Sequence, residues 1–259
     1  MIERSTAVPR RCRESVMFFL ALTLLTSPSF SFAEPAASAN PASKQDMEQM
    51  IEQYIRTHPE VIEQSLQTLD TKRQEDERQR SRAAIATRQS NLLNDPSSPV
   101  SGNPAGEVTL VEFFDYRCGY CKRAAAAVTQ LQQDDVRVKV VYKDLPILGE
   151  ASELASKAAL ASKAQGKHQV FHEALLAANG DITKDSILSI AREVGLDAKR
   201  LETDMANPEW QRVIDRNRAL AKDLGINGTP GFIVGTELVP GALELNGLKD
   251  LIARAGIVK

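Results

Sequence analysis

The apolar positions of this chain change spacing several times, and each change marks a different element. Residues 16–25 form an almost unbroken apolar run. Arg4, Arg10, Arg11 and Arg13 precede it, Pro28 breaks it, and Ser31-Phe32-Ala33 supplies the small residues that a signal peptidase reads. A run of about ten residues is half of what a bilayer span needs. Residues 1–33 are therefore expected to be an export signal cleaved near Ala33, delivering the protein to the periplasm.

Residues 34–44 are small and proline-containing, a composition that predicts disorder. Ser43, with Asp46 three residues on, opens a helical pattern in which Met47, Met50, Ile51, Tyr54 and Ile55 form one stripe. Pro59 suits a second helix start, and Val61, Ile62, Leu66 and Leu69 continue an apolar face. From Asp70 to Arg80 eight of eleven residues are charged and the seam ends. The helical pattern then runs on through Ile85, Leu92 and Leu93, stopping before Asp95-Pro96. A helix over 59–93 would reach about 50 Å at ~1.5 Å per residue. Its own thin stripe cannot hold it together, because helix stability comes mainly from packing. Residues 45–94 thus read as a helical arm. It is either a solvated linker or a homo-oligomerisation arm burying residues 46–69 against copies of itself, and the stripe favours the second. A long continuous coiled coil is not expected, since the heptad seam fails beyond Leu69.

Turn-rich segments at 95–99 and 103–106 open a domain expected to span 95–259. Val100 suits a short edge strand. Residues 108–116, β-branched and aromatic on both faces, predict a central strand. An alanine-rich helix at 122–133 and a strand at 136–142 follow, the order of a right-handed parallel βαβ unit. Residues from about 150 to 224 are helical in pattern throughout. Strand signals return at 231–234 and 238–239 around the Gly235-Thr236 turn, and a closing helix begins at Leu245. The fold class is α/β: a βαβ unit interrupted by a helical insertion and completed by a hairpin and helix.

Composition now narrows the chemistry. The 259 residues carry a formal charge of −2, and loss of residues 1–33, with four arginines and two glutamates, leaves −4. No basic footprint points to nucleic acid. Three cysteines are too few for a disulfide scaffold and too oddly spaced for a four-ligand zinc site. Removal of the signal takes Cys12 with it, leaving Cys118 and Cys121 in an oxidising compartment where a disulfide persists. Two cysteines three apart at a helix start lie on one turn. The first meets unpaired N–H groups and the positive end of the helix dipole, which stabilise a thiolate. Cys118 is therefore expected to attack and Cys121, one turn inside, to resolve the mixed disulfide. The same spacing also occurs in inert bridges and Cu(I)-type dithiolate sites. His168 and His172 share a helix face, and are expected to be a surface pair of unrelated role; no metal site and no cofactor are expected.

The segment Glu112-Phe-Phe-Asp-Tyr-Arg-Cys118-Gly-Tyr-Cys121-Lys resembles the active-site segment of the DsbA-like thioredoxin-fold family, and Asn227-Gly-Thr229-Pro230-Gly-Phe resembles its cis-proline loop. The likeness covers roughly residues 95–257, and with the N-terminal arm the chain is most similar to the ScsC-type and related oligomeric Dsb proteins. It departs from DsbA itself in having Gly119-Tyr120 between the cysteines in place of Pro-His, and Thr229 in place of Val before the proline. The resemblance implies a thioredoxin fold with a helical insertion, and thiol–disulfide oxidoreductase activity. It also implies a cis Pro230 against the disulfide, a client strand pairing with the backbone at Thr229, and a buried Glu112 relaying the Cys121 proton. Tyr120 is expected to face substrate, and Lys143 to tune local charge.

The expected partners are cysteine-containing exported proteins, a membrane thiol redox partner and further copies of the chain. The arm and the Thr-Pro loop favour an isomerase or a bifunctional enzyme over a purely oxidising DsbA-type enzyme. A copper-binding or chaperone protein using the dithiol for metal is the non-enzyme alternative.

Overall fold

The computed structural model describes residues 43–257. The expected export signal and residues 34–42 of the expected disordered stretch lie outside the described residues. The chain divides after Thr57 into two units. The first contains α1 (Lys44–Thr57). Its start is capped reciprocally: the Asp46 N–H donates to Ser43 Oγ (3.2 Å) and the Ser43 N–H to Asp46 Oδ2 (3.1 Å). No residue of α1 is buried, and Met47, Met50, Ile51 and Tyr54 are each more than half exposed.

The second unit opens with α2 (Glu60–Thr87), preceded by Pro59 at its N-cap, and α3 (Gln89–Leu93). The expected single helix over 59–93 is broken at Arg88 (φ −106°, ψ 11°), whose N–H reaches the carbonyls of both Ala84 and Ile85. Ile85 and Leu92, on either side of the break, are fully buried. They pack with Val111, Phe113, Val141 and Leu224. The charged seam therefore does not lead into a free linker. Packing of the domain begins in the last turns of α2, before the proline-rich turn at 95–99.

The sheet comprises β1 (Val100–Gly102), β2 (Val108–Phe114), β3 (Val138–Asp144), β4 (Gly231–Val234) and β5 (Glu237–Pro240), in the order β1-β3-β2-β4-β5. β2 and β3 are parallel and joined by α4 (Gly119–Asp134); the other pairings are antiparallel. The insertion is α5 (Glu150–Ser162), a short 3₁₀ turn, α6 (His168–Ala177), α7 (Lys184–Glu193), α8 (Ala198–Asp204) and α9 (Pro208–Leu224); α10 (Leu245–Ile257) closes the chain.

Side chains alternate across the sheet. Leu110 and Phe114 of β2 enter one core, with Cys121, Val128 and Leu131 of α4 and Phe171 and Leu175 of α6. Val111 and Phe113 enter the other, beneath α9 and the end of α2. Glu112, between Val111 and Phe113, shares the α4 side with Leu110 and Phe114. That alternation places a carboxyl group inside an apolar layer.

Candidate active site

β2 ends at Phe114, and the chain turns through Asp115, Tyr116 and Arg117 into α4. Asp115 makes the turn rigid. Its Oδ1 accepts from the Arg117 N–H (2.7 Å) and the Ser152 hydroxyl (2.8 Å). Its Oδ2 accepts from the N–H groups of Ile147 (2.8 Å) and Leu148 (3.0 Å). Its main-chain carbonyl accepts from the Cys118 N–H (3.1 Å). One fully buried side chain thus binds the cysteine turn to the loop after β3 and to α5. Arg117 adds a bond from Nη1 to the Leu148 carbonyl (2.7 Å). Gly149 then enters α5 at φ +98°, a conformation suited to glycine. Asp115 lies inside the cysteine segment without a spacing that marks it as a site residue. The available signal was an aspartate bonding the N–H two residues on, as Asx turns do.

Cys118 occupies the N-cap of α4 and is almost buried; Cys121, one turn in, is fully buried. Both are free thiols. The Cys118 side chain makes no capping bond to the helix N–H groups. Its Sγ–H instead donates to the carbonyl of Thr229 (3.2 Å). Burial, reinforced by neighbouring Cys118 and Glu112, holds the Cys121 thiol well above the ordinary cysteine range. The two sulfurs are chemically unequal: one lies against a polar loop carbonyl, the other beneath the helix.

Glu112 is buried, and its Oε1 has no hydrogen-bond partner among the described residues. Burial pushes its pKa up to about 8. Its charge raises the pKa values of Cys121, Tyr116 and Tyr142, so the carboxyl lies within electrostatic reach of the inner thiol. A carboxyl titrating near neutral pH next to a thiol that resists ionisation is suited to exchange a proton with it.

The Thr229–Pro230 peptide is cis. Pro230 is buried, and its carbonyl accepts from the Gly241 N–H (2.8 Å). Beside this loop lies an open groove of about 650 Å³, lined by Tyr120, Arg123, Ile226, Thr229, Pro230 and Leu238 among others. Tyr120 is 59% exposed, and the Arg123 guanidinium stacks on its ring at 4.3 Å. The fold therefore brings Glu112, Cys118, Cys121, Tyr120, Thr229 and Pro230 to one end of the sheet.

Lys143 does not join them. It pairs in register with Phe113, on the opposite face, where its fully buried Nζ donates to the Asn91 carbonyl (2.6 Å) and Asp95 Oδ2 (3.4 Å). It fastens the chain after α3 to β3. His168 and His172 are not at the surface either. Both are buried in an aromatic cluster with Phe114, Tyr116 and Tyr142, and the Tyr116 hydroxyl bonds His172 Nδ1 (2.9 Å). The expected surface pair is a piece of core, because Val170 rather than either histidine takes the exposed face of α6.

A family profile described as the DSBA-like thioredoxin domain matches residues 109–253. A thioredoxin-like oxidoreductase from Silicibacter pomeroyi is 49% identical, with a TM-score of 0.64, over 66% of this chain and 98% of that one. The thiol-disulfide exchange protein alpha-DsbA2 from Wolbachia pipientis is 34% identical, with a TM-score of 0.64, over 67% and 95%. ScsC from Proteus mirabilis, in a transitional conformation, is 26% identical, with a TM-score of 0.63, over 83% and 98%. The chain also matches part of curated Na(+)/H(+) antiporters; against one from Salinispora arenicola it is 28% identical over 158 residues, spanning about a quarter of that protein's length. The profile takes in the cysteine turn, the insertion and the cis-proline loop together, and the chain belongs to the DSBA-like thioredoxin family.

Proposed function

We propose that the chain is an exported thiol–disulfide oxidoreductase that isomerises or forms disulfides in other exported proteins through Cys118-Gly119-Tyr120-Cys121. The observation that carries this reading is the inequality of the two sulfurs: Cys118 lies on the polar cis-proline loop, and Cys121 is sealed above Glu112.

In the exchange, the Cys118 thiolate attacks a client disulfide, forming a mixed disulfide and releasing one client thiolate. A client thiolate then attacks the client sulfur of that bond, which rearranges the client and restores Cys118 with no net change of electrons. Alternatively, Cys121 gives its proton to Glu112 and attacks Cys118. The client leaves reduced by two electrons and the enzyme holds the disulfide. Run backwards, the second route oxidises a client dithiol, and a membrane thiol redox partner resets the enzyme. Tyr120 and the loop at Thr229 and Pro230 hold the client chain, whose main-chain groups compete with Cys118 for the Thr229 carbonyl region.

Isomerisation is favoured over pure oxidation by the arm. On α1, Met47, Met50, Ile51, Tyr54 and Ile55 are exposed; on α2, Ile62, Leu66 and Leu69 are exposed. Further copies of the chain cover these residues, and the oligomer holds several dithiols near one misfolded client, raising the effective concentration for successive exchanges. The similarity to ScsC extends over 83% of the chain, more than the domain from residue 95 supplies alone, so it reaches into these helices. The test is refolding of scrambled ribonuclease, run beside insulin reduction and a solution mass measurement on the protein from residue 34. An oligomer that unscrambles ribonuclease supports the reading. A monomer that only oxidises reduced ribonuclease refutes the isomerase part.

A further inference from the structure

Beyond the catalytic groove, the structure has a second groove of about 760 Å³ between the charged stretch of α2, the end of α9 and the edge strand β5. The two share Gly225, Asn227, Leu238 and Pro240 as lining, so the second groove adjoins the first and extends the trough beside the cis-proline loop. Its wall is fixed to the domain. The Ser81 hydroxyl donates to the Leu224 carbonyl (3.0 Å), Arg88 pairs with Asp223 (2.7 Å), and Ile85 is anchored in the core one turn beyond.

The charges of this second groove are unevenly engaged. Among its acids, Asp223 is held by Arg88 and Glu237 by Arg254 (2.9 Å). Arg78 is held by Glu75 (3.3 Å). Arg80 and Arg82 of α2 and Lys222 of α9 are exposed and make no ion pair among the described residues, against a single unengaged acid, Glu77. The groove is thus net positive where it leaves the catalytic end, although the chain as a whole is acidic. One of its walls, β5, is the last strand of the sheet and pairs with β4 alone among the described residues.

We propose that this trough is a client-binding extension: it holds an extended, acidic segment flanking the exchanging cysteine, read by Arg80, Arg82 and Lys222. The inference rests on the reading of the chain as a thiol–disulfide oxidoreductase. It gives the charged stretch of α2 a role in client choice rather than in spacing alone.

The test uses the full-length reduced protein from residue 34 and four disulfide-bearing peptides. One is short; three carry an acidic, a neutral Gly/Ser or a basic extension of about eight residues on either side of the cysteine, roughly 26 Å when extended. The acidic peptide is expected to exchange about tenfold faster than the neutral one at low salt, with the advantage lost at high salt. In an Arg80→Gln/Arg82→Gln/Lys222→Gln variant that advantage disappears, and the short peptide reacts at the wild-type rate. Equal rates for acidic and neutral peptides, or a preference that survives the triple substitution, would overturn the proposal. So would a triple variant that changes oligomeric mass but not peptide preference, which would assign the groove to a second copy of the chain. Failure of the short peptide to react with the unaltered protein would instead overturn the oxidoreductase reading itself, and this proposal with it.

Discussion

The Cys118 thiol and the Thr229 carbonyl are 111 positions apart in sequence and 3.2 Å apart in the fold. The helical insertion lies between them in sequence, and the antiparallel pairing of β4 with β2 closes the gap in space. The cysteine turn and the cis-proline loop are therefore held side by side at the ends of two neighbouring strands.

Glu112 provides the sharpest pH prediction. With a pKa raised by burial to about 8, its carboxyl is mostly protonated at pH 7 and becomes a proton acceptor as pH rises. The Cys121-dependent release of client is expected to accelerate through pH 8 in the unaltered protein, and Glu112→Gln should flatten that rise. Rapid-quench measurement of mixed-disulfide decay checks it; an unchanged profile would remove Glu112 from the mechanism.

The same shift has a stability consequence. A carboxyl whose folded pKa lies above its unfolded value makes the folded state bind the extra proton, so stability falls as pH rises from about 4.5 to about 8. Glu112→Gln is expected to stabilise the fold at pH 7 by on the order of 2–3 kcal/mol, less the cost of burying an amide. Urea titrations at pH 5 and pH 8 test the sign: the gain should be larger at pH 8.

His172 acts in the opposite direction. Burial lowers its pKa to about 3, and burial together with His172 lowers that of His168 well below the ordinary value. Both are neutral in the fold and protonated in the unfolded chain below about pH 6.5. The contribution of His172 is present above that pH and is lost as pH falls towards about 3, and that of His168 is lost in the same direction. At pH 4 the loss from His172 alone is about 3 kcal/mol. His172→Gln should therefore narrow the difference in stability between pH 7 and pH 4, as read by denaturant unfolding at each pH.

Asp115→Ala should be among the most damaging substitutions near the site. It leaves the partly buried N–H groups of Arg117, Ile147 and Leu148 and the buried Ser152 hydroxyl without their acceptor. A loss of about 3 kcal/mol or more is expected, with slower exchange. Asp115→Asn, which retains one acceptor oxygen, should recover part of both. Equal stability of the Ala variant and the unaltered protein would contradict the fastening role.

Most of the fold was legible because its signals are local. The β-branched and aromatic strand at 108–114, the alanine-rich helix after Cys118 and the glycine-punctuated helices of the insertion each announce themselves within a few residues. The six residues brought together at the site were legible through two short motifs. What escaped depends on tertiary packing. Ile85 and Leu92 look like a fading helical stripe, yet they enter the core beneath β2. His168 and His172 read as polar, yet the flat rings of Tyr116 and Tyr142 enclose them. Lys143 follows the strand pattern but points through the sheet to Asp95, because side chains alternate and Phe113 opposite it faces the same way. The practical difference is testable by deletion of the arm. Removing residues 34–93 takes Ile85 and Leu92 out of the core, so that truncation is expected to lose several kcal/mol, whereas removal of 34–78 should leave a stable, redox-active domain.

The central claim is that attack and resolution belong to different sulfurs. It is tested most directly by single turnover of Cys121→Ser and Cys118→Ser variants with a disulfide peptide, followed by mass spectrometry of the adducts. The account predicts that Cys121→Ser accumulates a stable mixed disulfide at Cys118, while Cys118→Ser forms none, because the fully buried Cys121 thiol does not reach the client. Adduct formation at Cys121 as fast as at Cys118 would contradict it.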